Sequence, residues 1–249
     1  MALAALGAAL LALALVLSHA SGAATSDLCS ADDEPAHVVT GLMVRDYLAS
    51  SLGDPLEFAK QFYLHYPKVA LGNWPPVFYL VQAAWTLCCG TSALALLALM
   101  SLLAATTAGA IAWLTGRRVG WVIGVCTGVW FLLLPAVQAS AAAVMAEVPL
   151  ALLCLLATHR FGRFLDRGLR RDALGFAALA TLAILTKGNG LALAMVPPFA
   201  IAIRRQWGVL RRGALWAPAA LVALLCAPWY SVSLPISASA WDSGSTPSL

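Results

Sequence analysis

Long apolar runs recur along this chain, and few charged residues interrupt them. Hydrophobic residues make up 61% of the sequence and charged residues 10%, and the mean hydropathy is +0.85. A water-soluble domain of this composition would expose too much apolar surface to stay dispersed. The runs are rich in Ala and Leu and lack the alternation of barrel strands, so their backbone groups must be satisfied within helices. The sequence therefore predicts an all-α, polytopic membrane bundle.

The arginines predict how these helices are oriented. Eleven of the fifteen Lys and Arg fall within 117–118, 160–171 and 204–212. Short loops rich in Arg stay on the cytoplasmic side of a membrane. We therefore expect about seven spans, with the amino terminus inside and the carboxyl terminus outside. Because these loops account for the formal net charge of +4, no nucleic-acid partner is expected.

The spans are predicted to form one membrane domain, residues 1–230. A Ser- and Pro-rich tail, 231–249, follows and is expected to be disordered. The run 1–20 predicts a first span, with a cleaved signal peptide as the alternative. The stretch 21–76 carries seven of the eleven acidic residues, which favours a large extracytoplasmic loop.

Two amphipathic or interfacial helices are expected in and just after that loop. Apolar residues recur at helical spacing over 38–52, which predicts a helix on the membrane surface. The pair Pro75-Pro76 cannot lie inside a helix but can begin one, so a second helix is expected over 77–89. An aromatic belt at the bilayer surface is predicted from Tyr63, Tyr66, Trp74, Phe78 and Tyr79.

The first loop contains the densest group of acidic side chains, Asp32-Asp33-Glu34, with His37 close behind. Three carboxylates are costly in hydrocarbon, so we expect them to face water or a polar cavity. There they could supply a general base, or they could form a solvated turn that caps the next helix. Glu34 and His37 share the spacing of two metal ligands on one helical face, although a surface histidine beside a carboxylate has the same spacing. No metal is assigned, and a divalent cation stays open.

Two further charged residues lie within apolar surroundings. If a span begins at Glu147, Pro149 falls in the tolerated first turn and the carboxylate lies at the positive end of the helix dipole. The break at 186–190 predicts a turn between two arms of about 15 residues, roughly 23 Å each and shorter than the ~30 Å hydrocarbon core. Lys187 would then point into a sunken cavity, or its side chain would extend to the headgroups. Glu147 is either a ligand-binding residue or a simple helix-start residue.

Several short motifs follow one another in an order that resembles a known family. They are Asp33-Glu34, Asn73-Trp74-Pro75-Pro76-Val77-Phe78-Tyr79, Gly90-Thr91-Ser92, Ala146-Glu147-Val148-Pro149-Leu150 and Leu185-Thr186-Lys187-Gly188. With their predicted topology they resemble the GT-C membrane glycosyltransferases, specifically the protein O-mannosyltransferase and aminoarabinose transferase superfamily. The resemblance extends to Pro228-Trp229-Tyr230.

The resemblance implies transfer of a sugar from a polyprenyl- or dolichyl-phosphate donor to an acceptor hydroxyl, on the extracytoplasmic face and with inversion. It implies that Asp33 is the catalytic base and that Glu34 orients it. Lys187, Glu147 and His37 become candidates for binding the donor phosphate or the substrate. The implied partners are the lipid-linked donor, membrane lipids and an acceptor of unknown identity.

Two other function classes stay open. In a transporter or lipid-binding membrane protein, Asp33, Glu147 and Lys187 would form a polar pathway. Few polar residues lie between Lys187 and Arg204, which favours a one-sided cavity and therefore an enzyme. Members of the family continue beyond seven spans, so an inactive, truncated transferase is the other alternative.

Overall fold

The protein is all-α in the part of the chain that the structure describes. This computed structural model describes residues 2–25, 28–50, 52–70 and 72–244, with side chains for 3–235 within those ranges. No strand occurs there, and the helices are α1 (Ala2–Ala20), α2 (Glu34–Ala49), α3 (Pro55–His65), α4 (Val77–Cys89), α5 (Ala93–Val119), α6 (Trp121–Leu133), α7 (Pro135–Ala141), α8 (Glu147–Arg167), α9 (Arg170–Ile184), α10 (Val196–Arg204) and α11 (Gly213–Gly244). The predicted fold class is confirmed at this level.

Four of the described helices are long and apolar enough to cross a membrane: α1, α5, α8 and α11. The count rises to five if α6 and α7, which are bent by 63° at a short break, form one broken span. Several helices of this length and composition are compatible with an integral membrane protein. The count of about seven spans stays a prediction, because the two further helices that it needs, α9 and α10, are shorter than a bilayer core requires.

The chain divides into two compact units. The first unit comprises Met1–Ala70 and Phe78–Leu152, and the second comprises Leu71–Val77 and Leu153–Leu249. The boundary falls within α8. Each unit is described by itself below, and the prediction of a single membrane domain over 1–230 stays a prediction.

Small residues let α5 and α6 pack closely in the first unit. A Cβ atom at Gly124 would lie 2.4 Å from the Ala112 carbonyl oxygen, and one at Gly128 would lie 2.8 Å from that of Ala108. Both distances are shorter than real Cβ contacts, so only glycine fits at these positions. Glycines four residues apart are a recurrent means of bringing two membrane helices together.

Local chemistry sets the helix starts. The Ser92 hydroxyl accepts a hydrogen bond from the Ala95 amide at 3.2 Å and caps α5. The double proline directly precedes α4, as predicted. α8 begins at Glu147 and holds Pro149 in its first turn, which confirms the preferred start of that span. α5 continues to Val119 because nothing interrupts it before Gly120, whose φ is +113°.

The core of the second unit forms where α8, α9 and α10 meet. Its buried apolar residues are Phe161, Phe164, Leu165, Ala173, Ile201 and Val209. The fully buried Asp172 carboxylate lies 3.3 Å from Arg160 Nη1 and 3.3 Å from Arg163 Nε. These ion pairs join the end of α8 to the start of α9. The rings of Phe161 and Phe176, 5.0 Å apart between centroids, form a second contact between the same helices.

The structure confirms one prediction for the last part of the chain and changes another. The predicted break at 186–190 is present, because α9 ends at Ile184 and a 3-10 helix runs over Gly188–Met195. Pro197 and Pro198 lie in the first turn of α10, where proline is tolerated. α11 continues past Tyr230 to Gly244, so the first part of the predicted tail is helical, and 245–249 lie outside the described residues.

Candidate functional site

Glu34 begins α2 and is completely buried in the first unit. Its carboxylate accepts hydrogen bonds from the Ser30 amide at 2.8 Å, the Ser30 hydroxyl at 2.6 Å and the Val144 amide at 2.9 Å. The expectation that all three acidic side chains face water or a cavity is therefore wrong for Glu34. A buried carboxylate is tolerated here because backbone and hydroxyl donors replace water. Glu34 joins the start of α2 to the segment that leads into α8.

Asp33 stands beside this anchored residue but is exposed, as is Asp32. It occupies the N-cap position of α2, yet its side chain makes no capping hydrogen bond to the described residues. The side chain of Asp33 therefore does not have the capping role that is the alternative function of this cluster. Its carboxylate lies at the positive end of the α2 dipole and is exposed.

His37 lies one turn further along α2 and is buried. Its Nδ1 atom is 2.8 Å from the Tyr79 hydroxyl, and its ring meets Phe78 edge-on at 5.8 Å between centroids. Burial, with a smaller contribution from the Asp33 carboxylate, raises the pKa of Tyr79 well above its ordinary value. The phenol thus stays protonated, and its hydroxyl and Nδ1 form a hydrogen bond in which either atom can be the donor, depending on the imidazole tautomer.

Tyr79 and Phe78 are therefore not part of an exposed aromatic belt. They are 2% and 1% exposed, since α4 turns them toward α2. Tyr79 tolerates this burial because its hydroxyl meets His37. Tyr63 and Tyr66, in contrast, are exposed, and Trp74 is half-buried.

The buried face of α2 is more polar than the sequence suggests. It consists of Glu34, Ala36, His37, Thr40 and Gly41, whereas the predicted apolar face is only half-buried. Gln82 of α4 packs against it, and a Cβ at Gly41 would lie 2.5 Å from the Gln82 Oε1 atom. Neither polar atom of the buried Gln82 amide has a hydrogen-bond partner among the described residues.

Glu147 is half-buried in the first turn of α8, and its Oε2 atom is inaccessible to solvent. The Glu34–Val144 hydrogen bond holds the chain three residues before it. The first unit contains four of the candidate residues: Asp33, Glu34, His37 and Glu147. The hydrogen bond from the Val144 amide to Glu34 connects α2 to the segment that precedes Glu147.

Lys187 belongs to the second unit and is half-buried in extended backbone directly before the 3-10 helix. Its amide donates to the Ala183 carbonyl at 3.1 Å, so the turn folds back on the end of α9. The Val77 amide donates to the Leu185 carbonyl at 2.9 Å. The segment that ends in the double proline thus lies beside the segment that carries Lys187.

The described residues bring no three His, Cys, Asp or Glu side chains together as a metal site. Glu34, one half of the predicted ligand pair with His37, directs its carboxylate to Ser30 and Val144 instead. A metal therefore remains unassigned.

No protein-family model matches this chain, and neither does any curated protein or solved structure. The resemblance to the GT-C superfamily accordingly stands on the short motifs alone.

Proposed function

We propose that this protein is a membrane glycosyltransferase that uses a polyprenyl- or dolichyl-phosphate sugar. Asp33 acts as general base and takes the proton of an acceptor hydroxyl. The acceptor oxygen forms a bond to the anomeric carbon while the bond from that carbon to the phosphate oxygen breaks. Polyprenyl phosphate leaves, and the anomeric configuration inverts because attack and departure occur on opposite faces.

The observation that carries this proposal is the contrast between Asp33 and its neighbour. Glu34 is buried by three hydrogen bonds to Ser30 and Val144, whereas the Asp33 carboxylate is exposed and is not used in capping. An acidic group that must meet a substrate needs a rigid support and an open face. The first turn of α2 supplies both.

The contacts among the motifs give a second line of support. In the first unit, Asp33-Glu34 is linked to the approach to Glu147 through Val144, and His37 is linked to Tyr79. In the second unit, the segment ending at Val77 is bonded to Leu185, beside Lys187. Segments that are distant in sequence thus contact one another within each unit.

Lys187 is proposed to bind the donor phosphate. It has an ammonium group on a flexible stem, held at a turn between two short apolar arms, and an ammonium is a suitable partner for a phosphate. Glu147 is proposed as a second carboxylate that binds substrate.

The test is transfer of radiolabelled sugar from polyprenyl-phosphate donors to membrane acceptors, comparing the wild type with Asp33→Asn and Asp32→Asn. The two aspartates are adjacent and both exposed, so Asp32→Asn is a matched control. We expect Asp33→Asn to abolish transfer while membrane insertion is retained, and Asp32→Asn to transfer normally. Equal transfer by both variants would remove Asp33 from the mechanism, and donor binding without transfer by the wild type would favour a lipid-binding or transport role.

A further inference from the structure

The second unit has one strongly basic end, which we call the arginine end. It is formed by the last turns of α8, the start of α9, the end of α10, the 3-10 helix Trp207–Arg211 and the start of α11. Ion pairs from Arg160 and Arg163 to Asp172, and from Arg204 to Asp166, join these elements. A Cβ at Gly168 would lie 3.3 Å from Arg212 Nη1, so the start of α11 also meets the turn between α8 and α9.

Most of the positive charge at this end is not neutralised. Asp166 and Asp172 are the acidic residues there, and they pair with Arg160, Arg163 and Arg204. The other arginines are exposed and have no ion pair within the described residues: Arg167, Arg170, Arg171, Arg205, Arg211 and Arg212. Six unpaired guanidinium groups on one end of a small unit attract anions, and each can bind a phosphate through two hydrogen bonds.

An apolar cavity opens within the same unit. Its volume is about 410 Å³, within the range of ligand pockets. Every lining residue is apolar or aromatic, and Ala173, Leu210, Leu215 and Trp216 lie within four residues of an unpaired arginine. No charged side chain lines it, so whatever fills the cavity must present hydrocarbon.

Two exposed tryptophans, Trp207 and Trp216, belong to the elements of the arginine end. Trp207 and Trp216 are each 58% exposed, and tryptophan is enriched at the membrane–water interface. The Trp216 Nε1–H group donates to the Leu210 carbonyl at 2.8 Å. This bond fixes a cavity-lining indole against the carbonyl of Leu210, the residue that precedes Arg211.

We infer that the arginine end and the adjoining cavity together bind an anionic phospholipid, with an acyl chain in the cavity and the headgroup phosphate on Arg211 and Arg212. A neutral lipid would leave the arginines unmatched, and a free phosphate would leave the cavity empty. An amphiphile with a negatively charged head matches both. Clusters of four to eight basic residues beside a membrane helix are typical of such binding.

The test uses the purified full-length chain in detergent and measures binding of phosphatidylglycerol and phosphatidylcholine by native mass spectrometry. We expect selective retention of phosphatidylglycerol. The double variant Arg211→Gln/Arg212→Gln should weaken it roughly 30-fold, because two basic residues near an anionic headgroup are lost. The pair Arg117→Gln/Arg118→Gln, which removes the same charge from the end of α5 in the first unit, is the matched control and should retain the lipid.

Two additional variants separate the headgroup from the chain and guard against misfolding. Arg211→Lys/Arg212→Lys keeps the charge and should retain most of the affinity, which would rule out misfolding as the cause of the loss. Ala219→Trp, at an exposed position that lines the cavity, should reduce lipid retention while the arginines stay in place. Equal retention of the two phospholipids, equal loss in both glutamine variants, or equally strong binding of soluble glycerol phosphate would each overturn the proposal.

Discussion

Replacing Glu34 by alanine tests how α2 is held in the first unit. The side chain is buried and accepts three hydrogen bonds, two from Ser30 and one from the fully buried Val144 amide. A hydrogen bond to a charged group contributes about 1.5–3 kcal/mol, and a buried donor that loses its partner is destabilising by about 1–3 kcal/mol. Ser30 is exposed and can turn to water, so most of the loss comes from Val144.

We therefore expect Glu34→Ala to lower the free energy of unfolding by about 3 kcal/mol, which corresponds to roughly 6–12 °C in Tm for a chain of this size. Glu34→Gln keeps one oxygen that can accept from Val144 and should lose about 1 kcal/mol. The assay is thermal unfolding in detergent, followed by tryptophan fluorescence. The control is Asp32→Ala, which removes an exposed carboxylate two residues away. If Glu34→Ala and Asp32→Ala had the same Tm, the anchoring role of Glu34 would be refuted.

Three further predictions concern Tyr79, the turn at Lys187 and the donor. Burial raises the pKa of Tyr79, so its contribution to the free energy of unfolding is complete below about pH 10.0 and declines above that pH. The loss of stability at alkaline pH should therefore be less steep in Tyr79→Phe. If stability depended on pH equally in the variant and the wild type, Tyr79 would not be the group that controls alkaline unfolding. A Cβ at Gly190 would lie 2.5 Å from the Ala183 carbonyl carbon, whereas one at Gly208 meets nothing within 4 Å; Gly190→Ala should therefore lose about 2 kcal/mol in denaturant unfolding and Gly208→Ala much less. Lys187→Ala should weaken binding of a polyprenyl-phosphate sugar at least tenfold, because a hydrogen bond from the half-buried ammonium group to a phosphate contributes about 1.5–3 kcal/mol. The control, Lys60→Ala, removes an exposed lysine and should leave the affinity unchanged. Equal affinities of the two variants would assign Lys187 to a headgroup contact instead.

The helix starts could be predicted because their causes are local. Pro75-Pro76 before α4, Ser92 before α5 and Pro149 in the first turn of α8 all act within one turn of the helix they begin. The start of α3 had a similar signal that was missed. Asp54 accepts from the Leu56 and Glu57 amides, and Pro55 follows it as a first helical residue.

The burial of Glu34 could not be predicted, because its partner Val144 is 110 residues away in sequence. The polar face of α2 was missed for a related reason. The spacing over 38–52 predicts only an amphipathic helix on the membrane surface, whereas the 2.8 Å contact between His37 Nδ1 and the Tyr79 hydroxyl turns a polar face of α2 toward α4. Long-range hydrogen bonds decide which face is buried, and they leave no periodic signal in the sequence.

The pairing of α5 with α6 did leave a signal that was not used. Gly124 and Gly128 are four residues apart on α6, and Ala108, Ala112 and Gly116 follow the same spacing on α5. Small residues at this spacing indicate close helix packing in membranes. Hydropathy alone does not register them, since it is averaged over a window and carries no information on side-chain size.

The most direct test of the proposed function is to measure both products of one reaction with the purified protein. A polyprenyl-phosphate sugar and an acceptor are incubated with the wild type, and the glycosylated acceptor and free polyprenyl phosphate are quantified by mass spectrometry. The account predicts equal amounts of the two products, inversion at the anomeric carbon, and neither product with Asp33→Asn. Release of polyprenyl phosphate without glycosylated acceptor, or equal product from Asp33→Asn, would contradict it.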